Sequence, residues 1–437
     1  MNLENLSRVY AAHGCQRIYV KVLAENDNSK NQVYLGGSFE ILNVFPASDI
    51  QAESPEDWTR ERFKATVRFA WITETGTLAI APNAQLILYP KYPEVRFSGF
   101  LLGCTQAPSD LMKGTARIAG RLLFLGVTTD GRVLGYVTSP ASALAAEFSR
   151  LVTDTYGVFR VIHLAADNNR NRLLRELKRI HDLGWIRSRR LDSTGTVVPC
   201  ESSNCGGYTL EAELGITPNG YSEPDFLGWE IKQFGVKNPD RFRSEVITLM
   251  TPEPTGGVYV SQGLEHFLRQ YGYADKMGRP DRINFGGIHV SGIRHATTQL
   301  RMELIGFDNS TGKIRNTNGY IALVDPSGHE AATWSFSSML KHWTRKHNQA
   351  CYVPALSETS PVRRYSYGSS VILGIGTDFQ LFLREMSNGN IYYDPGIKME
   401  NASSARPTTK RRSQFRIKSG NLVNLYRINE IADLNAL

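Results

Sequence analysis

The chain has 437 residues, 41% of them hydrophobic and 21% charged, the proportions of an ordered protein with room for two or three domains. Lys plus Arg exceed Asp plus Glu by 50 to 42, giving a net charge of +8, which suits a polyanionic partner without requiring one. No apolar run approaches the ~18 residues that cross a bilayer, and the opening MNLENLSRVYAAHG has neither the basic nor the apolar region of a secretion signal. A membrane protein and a secreted disulfide scaffold are therefore excluded, and a cytoplasmic protein is expected.

Residues 1–140 alternate short β-rich runs with turns: RIYVKVL (17–23), ATVRFAWIT (65–73), AQLILYP (84–90) and LLFLGVTT (122–129). The last leads into Asp130-Gly131, a dipeptide that tolerates the positive φ of a tight hairpin, and then RVLGYVTS. This part reads as a compact β-barrel or sandwich. SPASALAAEFSRLV reads as a helix opened by Ser139-Pro140 as cap and first residue. AADNNRNR (165–172) is polar enough for a hinge, and LLRELKRIHDLGW (173–185) has helical period with Leu173, Leu177 and Ile180 on one face. Strands and helices mix beyond it. The expectation is an α+β chain with a β domain over 1–165, an α/β domain over 170–437, and a boundary between Ala165 and Asn171. Cys15, Cys104, Cys200, Cys205 and Cys351 are scattered, with no pairs at zinc spacing, so reduced thiols and no structural metal are expected.

The stretch GGYTLEAELGITPNGYSEPDFLGWEIKQFGV (206–236) holds Asp225, Glu230 and Lys232. FLGWEIKQF reads as a strand, so its two-residue period points Glu230 and Lys232 to one face. Pro224 favours extended backbone before Asp225, and Gly228 permits a bend between the acids. Two carboxylates converging at a strand end form a hard-oxygen site suited to Mg²⁺. A lysine beside them can orient a water for phosphodiester hydrolysis. Taken alone the triplet is weak, and two solvated acids near a surface lysine are the alternative.

The surroundings decide. Residues 184–236 resemble the catalytic core of the MvaI/BcnI-type restriction endonucleases and, more distantly, the mismatch-repair nickase MutH, both within the PD-(D/E)xK superfamily. The features that carry the resemblance are a helix ending in Gly184-Trp185, a glycine pair before Thr209-Leu210-Glu211, then Pro224-Asp225 and Glu230-Ile231-Lys232. The resemblance implies a restriction-endonuclease-like fold in which Asp225, Glu230 and the Ile231 backbone carbonyl hold Mg²⁺, Lys232 is catalytic, and Glu211 matches the helix glutamate near the metal. It continues thinly through VITLMTPEPTG (246–256), HVSGIRHA (289–296), TWSFSSMLKHW (333–343) and SQFRIKSGNLV (413–423). DNA contacts in this half are expected at Arg294, His295, Lys410, Arg411, Arg412 and Arg416, and His289 and His347 are further candidates to approach DNA. One departure is clear: the base-reading loop, His-rich in the MvaI branch, is RPTTKRRSQFRI (406–417) here. Basic side chains suit guanine edges or phosphates, or a merely solvated loop.

In the amino-terminal half, IYVKVLAENDNSKNQVYLG (18–36) followed by EILNVFP (40–46) resembles the EcoRII effector domain, a DNA-binding pseudobarrel shared with plant transcription factors. Its first arm would correspond to Lys21, Asn26, Asp27, Asn28, Ser29 and Lys30. Its second would be PKYPEVRFSG (90–99), with Lys91, Glu94 and Arg96. Amides, acids and lysines are the groups that base edges require, although such loops also serve as plain surface turns. The combination implies a monomeric, effector-stimulated (type IIE) restriction endonuclease. Such an enzyme binds two copies of a short double-stranded site of CC(A/T)GG type, uses Mg²⁺ and needs neither a membrane nor a protein partner. A mismatch-repair nickase and a non-catalytic DNA-binding regulator are the alternatives.

Overall fold

The computed structural model describes residues 1–25, 31–53, 60–91, 93–113, 118–164, 169–202, 204–217, 225–239, 245–347 and 349–437. The chain divides into two units, Met1–Asn168 and Asn169–Leu437. Among the described residues no helix is long and apolar enough to cross a membrane.

The first unit is a pseudobarrel of two sheets. One runs in the order Asp154–Tyr156, Phe159–His163, Arg17–Leu23, Arg121–Val127, Val133–Thr138, Phe69–Ile72, Leu78–Ala81. The other runs Val33–Gly36, Glu94–Ser98, Gln85–Tyr89, Arg62–Thr66, Ser48–Glu53. Their inner faces meet through aromatic pairs such as Phe69 and Phe97, with ring centroids 4.9 Å apart. The outer face of the first sheet is covered by the helices Leu3–Ala12 and Ala143–Ser149, whose Leu6, Tyr10, Leu144 and Phe148 pack on Ile18, Val20, Phe124 and Leu134. Gly126 belongs to this contact, because a Cβ there would lie 2.5 Å from the Tyr10 ring.

The Asp130-Gly131 hairpin forms as its residues dictate, with Gly131 at φ +77° and Thr128 N–H donating to Arg132 O at 2.9 Å. Two expectations are corrected. The run 65–73 is not one strand: the chain leaves the second sheet after Thr66 and enters the first at Phe69. The helix near 140 is capped by Ser142, whose Oγ accepts the Ala145 N–H at 3.0 Å, and not by Ser139. Ser142 wins because its hydroxyl stands at the N-cap position, three residues before an amide that has no intrahelical acceptor.

In the second unit the strand Glu230–Gly235 lies parallel to Gln349–Glu358, with Glu230 opposite Ala350 and Lys232 opposite Tyr352. Around them the sheet order is Ile186–Arg187, Arg364–Tyr367, Gln349–Glu358, Ser370–Ile375, Ile428–Asp433. The amphipathic helix Asn169–Asp182 buries Leu173, Leu174, Leu177 and Ile180 in the core that Leu210, Trp229, Ile231 and Val353 share. A further three-stranded sheet, Val246–Met250, Phe415–Lys418 and Ile391–Tyr393, packs on an aromatic cluster in which Trp334 sits 4.8 Å from Tyr393 and 5.3 Å from Phe415. The expectation of reduced thiols throughout is also corrected: Cys200 and Cys205 form a disulfide with Cα atoms 5.7 Å apart, while Cys15, Cys104 and Cys351 are free. The pair meets because the strand Val197–Pro199 ends just before the helix Cys205–Glu213 begins.

Candidate active site

The two acids are brought together by a two-residue turn. Phe226 and Trp229 exchange backbone hydrogen bonds of 3.0 and 2.8 Å, while Leu227 (φ +52°) and Gly228 (φ +86°) turn the chain between them. This double left-handed geometry matches the twist of a tight hairpin and sets Asp225 across from Glu230. The Asp225 Oδ2 accepts the Ile231 N–H at 2.9 Å, and Asn169 Nδ2 donates to the Leu227 carbonyl at 3.1 Å. Pro224 lies outside the described residues.

Glu230 is 1% exposed and accepts the Lys232 ammonium at 2.5 Å. Burial pulls the Lys232 pKa down, but Glu230 foremost, then Asp225 and Glu211, more than compensate and hold it above the ordinary lysine value. Lys232 is thus a cation in contact with Glu230 and within the field of Asp225 and Glu211. Glu211 rides on the helix Cys205–Glu213, which is docked tightly: Tyr367 OH donates to the Gly206 carbonyl at 2.7 Å, and a Cβ on Gly206 would meet Gln233 at 2.6 Å. The buried Thr209 and the Glu213 carboxylate both hold Arg189.

Behind Lys232, His347 is completely buried, stacked on Trp343 at 4.1 Å, with its ring nitrogens 3.3 and 3.2 Å from the Trp343 and Leu249 carbonyls. Burial and then the Lys232 charge push its pKa down to about 4. Tyr352 and Tyr426 share a hydrogen bond of 2.7 Å beneath Glu230, whose charge adds to burial in raising both hydroxyls. None of Thr209, Tyr352 and Tyr426 announces itself in the sequence. Their roles depend on partners 20 to 74 residues away.

Among the described residues no group of three His, Cys, Asp or Glu side chains is placed to hold a metal. Two carboxylates with a backbone carbonyl nonetheless fit Mg²⁺, which keeps several waters and takes one or two carboxylates from a protein.

The expected DNA-facing residues fall into several environments. Lys410, Arg411 and Arg412 are exposed on and after the strand Thr408–Lys410, with Arg411 over the Tyr259 ring at 6.0 Å. Arg416 is half-buried and paired with Asp394 at 2.6 Å, so its guanidinium braces neighbouring strands. Arg294 closes its own loop on the Gln299 carbonyl at 2.5 Å. His295 is half-buried, whereas His289 and His347 are sealed from solvent and cannot meet DNA, a correction that follows from their packing on Phe285 and Trp343. In the first unit Lys21 lies over Tyr34 at 5.4 Å, and burial lowers its pKa. Tyr34 pairs with Arg96, which binds Glu94 at 3.1 Å and Gln32 at 3.3 Å. Lys91 is exposed. Asn26, Asp27, Asn28, Ser29 and Lys30 lie outside the described residues.

No curated protein sequence matches the chain. Among solved structures, MvaI with its cognate DNA substrate is 19% identical, covering 61% of this chain and 99% of that one at a TM-score of 0.46. MvaI without DNA is 17% identical with the same coverage and a TM-score of 0.34. The B3 domain of the UbaLAI restriction endonuclease with cognate DNA is 18% identical over 37% of this chain and 98% of its own, with a TM-score of 0.20. The sequence profile of the MvaI/BcnI restriction endonuclease family matches residues 174–426. That span exceeds half of the chain, which therefore belongs to the MvaI/BcnI restriction endonuclease family.

Proposed function

We propose that the chain is a type IIE restriction endonuclease that hydrolyses double-stranded DNA with Mg²⁺ at a short site of CC(A/T)GG type and is stimulated by a second copy bound to the first unit. The observation that carries the reading is the turn that sets Asp225, bound to the Ile231 amide, across from Glu230, with the Lys232 ammonium 2.5 Å from the Glu230 carboxylate. Asp225, Glu230 and the Ile231 carbonyl would hold the ion, which when bound polarises the scissile phosphate and acidifies water. Lys232 keeps its proton at neutral pH, so it acts as a donor that orients the attacking water and offsets charge developing on phosphorus, not as a base. The amide of Ile231 fixes one oxygen of Asp225 and so orients its carboxylate. Lys410, Arg411, Arg412 and Arg294 supply positive charge to the duplex.

In the first unit Lys21, Lys91, Glu94 and Arg96 belong to the face that reads the effector copy. The protein works as a monomer on cytoplasmic DNA. A single metal site cuts one strand per visit, so a monomer must nick, reorient and nick again.

Plasmid digestion with end-mapping tests this. Mg²⁺-dependent cuts at one short sequence, abolished by EDTA and by Asp225→Ala, are expected. Binding without any cutting would make the protein a regulator, and nicks that require a mismatch-repair partner would make it a nickase.

A further inference from the structure

The segment around His289 and His295 carries a hydrogen-bond chain whose protons can be assigned one at a time. His289 Nδ1 lies 2.9 Å from the Gly287 carbonyl oxygen, which can only accept, so Nδ1 bears a proton. Burial, then His295 nearby, pushes the His289 pKa down to about 4, so the ring is neutral and its Nε2 is an acceptor. The Thr298 hydroxyl stands 2.9 Å from that Nε2 and gives it its only proton. His295 Nδ1 lies 3.1 Å from the same hydroxyl oxygen and receives the Thr298 backbone N–H at 3.2 Å. An N–H aimed at Nδ1 needs a lone pair there. The proton of neutral His295 is therefore on Nε2.

The ring is also fixed in orientation. It stacks on His289 at 4.5 Å, and His289 stacks on Phe285 at 5.5 Å. Gly287, at φ +106°, leaves His295 the space a side chain would fill, since a Cβ there would lie 2.4 Å from Nε2. In this assignment His295 Nδ1 accepts the Thr298 N–H, and the half-buried ring is not sealed. The exposed Lys276 is close enough to lower the His295 pKa, second to burial, and Arg294 precedes it in the chain. This face is positive, and it presents one hydrogen-bond donor with a fixed direction.

Building on the reading of the chain as a DNA-cutting enzyme, we propose that His295 is a specificity-determining residue. It donates its Nε2 proton to guanine O6 or N7 on the bound duplex; the Thr298 backbone N–H holds the ring in that tautomer, and the stack on His289 holds its direction. A ring locked as a donor cannot accept from the amino groups of adenine or cytosine, so it discriminates by tautomer as well as by shape.

The test is single-turnover cleavage of a site-bearing duplex by the full chain with Mg²⁺, followed against enzyme concentration. His295→Phe keeps the stack and removes the donor. It is expected to raise the half-saturating concentration about tenfold with the maximal rate within about twofold of wild type. His295→Ala repeats the measurement without the added ring volume should the Phe variant fold poorly. Replacing each guanine by 7-deazaguanine, and each phosphate by methylphosphonate, separates a base acceptor from a phosphate. Equality of wild type and His295→Phe at one replaced guanine identifies the base partner, whereas equality at a methylphosphonate would overturn the specificity role. If both His295 variants half-saturate within about twofold of wild type while wild type still cuts its site, the inference is overturned and the nuclease reading stands. If wild type cuts no duplex, both fall.

Discussion

The hydroxyl of Thr209 satisfies both backbone groups of Arg189, accepting its N–H and donating to its carbonyl, each at 3.1 Å. A buried side chain here takes the place of a neighbouring strand and pins the helix that carries Glu211. Thr209→Val preserves the shape and leaves both groups wanting. A loss of about 1–3 kcal/mol in urea unfolding is expected, with slower plasmid cleavage, and Thr209→Ser restores both. Equal stability of the Val variant and wild type would show that water replaces the hydroxyl.

Lys232→Met removes the cation in contact with Glu230. Cleavage is expected to fall by about 10²–10³, the usual consequence of losing one aligned charge at a reacting phosphate. DNA affinity should stay within a few-fold. Because the Lys232 pKa lies above its ordinary value, the pH–rate profile should show no loss from lysine deprotonation through neutral pH. A descending limb near pH 8 that disappears in the Met variant would contradict this.

Stability should depend on His289. Its pKa is pushed down to about 4 in the fold by burial and then by His295, against about 6.5 when unfolded. Between those values the unfolded chain binds the extra proton, so stability rises with pH. The contribution is complete above about pH 6.5 and is lost as pH falls through about 4, roughly 3 kcal/mol in all. His347, with the same direction and a similar value, steepens the fall. Urea titrations at several pH values, compared with His289→Phe, measure it, and an unchanged slope in the variant would refute the assignment.

The turn between the acids offers two opposite changes. Gly228 stands at φ +86° with open space around it, so Gly228→Ala costs about 1 kcal/mol through backbone strain alone. It should reduce cleavage more than stability, since the strain falls on Asp225. Leu227, at φ +52°, is a residue that rarely adopts that conformation, whereas asparagine does so readily. Leu227→Asn is expected to raise the thermal midpoint by a few degrees with cleavage intact.

The legible parts of this molecule are those set by neighbours in the chain. Asp130-Gly131 makes its hairpin from two residues, and Leu173, Leu177 and Ile180 declare a buried helix face by spacing. Glu230 and Lys232 share a face because a strand alternates, and Gly228 marks the bend. Long-range packing decides the rest. The run 65–73 is apolar enough throughout that its period cannot reveal a change of sheet at Val67-Arg68. Ser139 and Ser142 both precede a helical stretch, and only the amide positions choose between them. His289 and His347 stand in the sequence as candidates to approach DNA, yet Phe285 and Trp343 cover them. The Cys200–Cys205 link needs a strand end and a helix start to meet, which spacing alone does not convey.

Asn169 opens the leading helix of the second unit, and its amide grips the Leu227 peptide at 3.1 Å. The first described residue after the junction is therefore a tether on the very peptide that separates Asp225 from Glu230. A helix advances ~5.4 Å per turn, so a slip far smaller than that breaks the grip and leaves the turn to its own backbone bonds. Tension carried along the chain into this helix would bear on that peptide directly, as well as on the Arg170–Glu430 pair beside it.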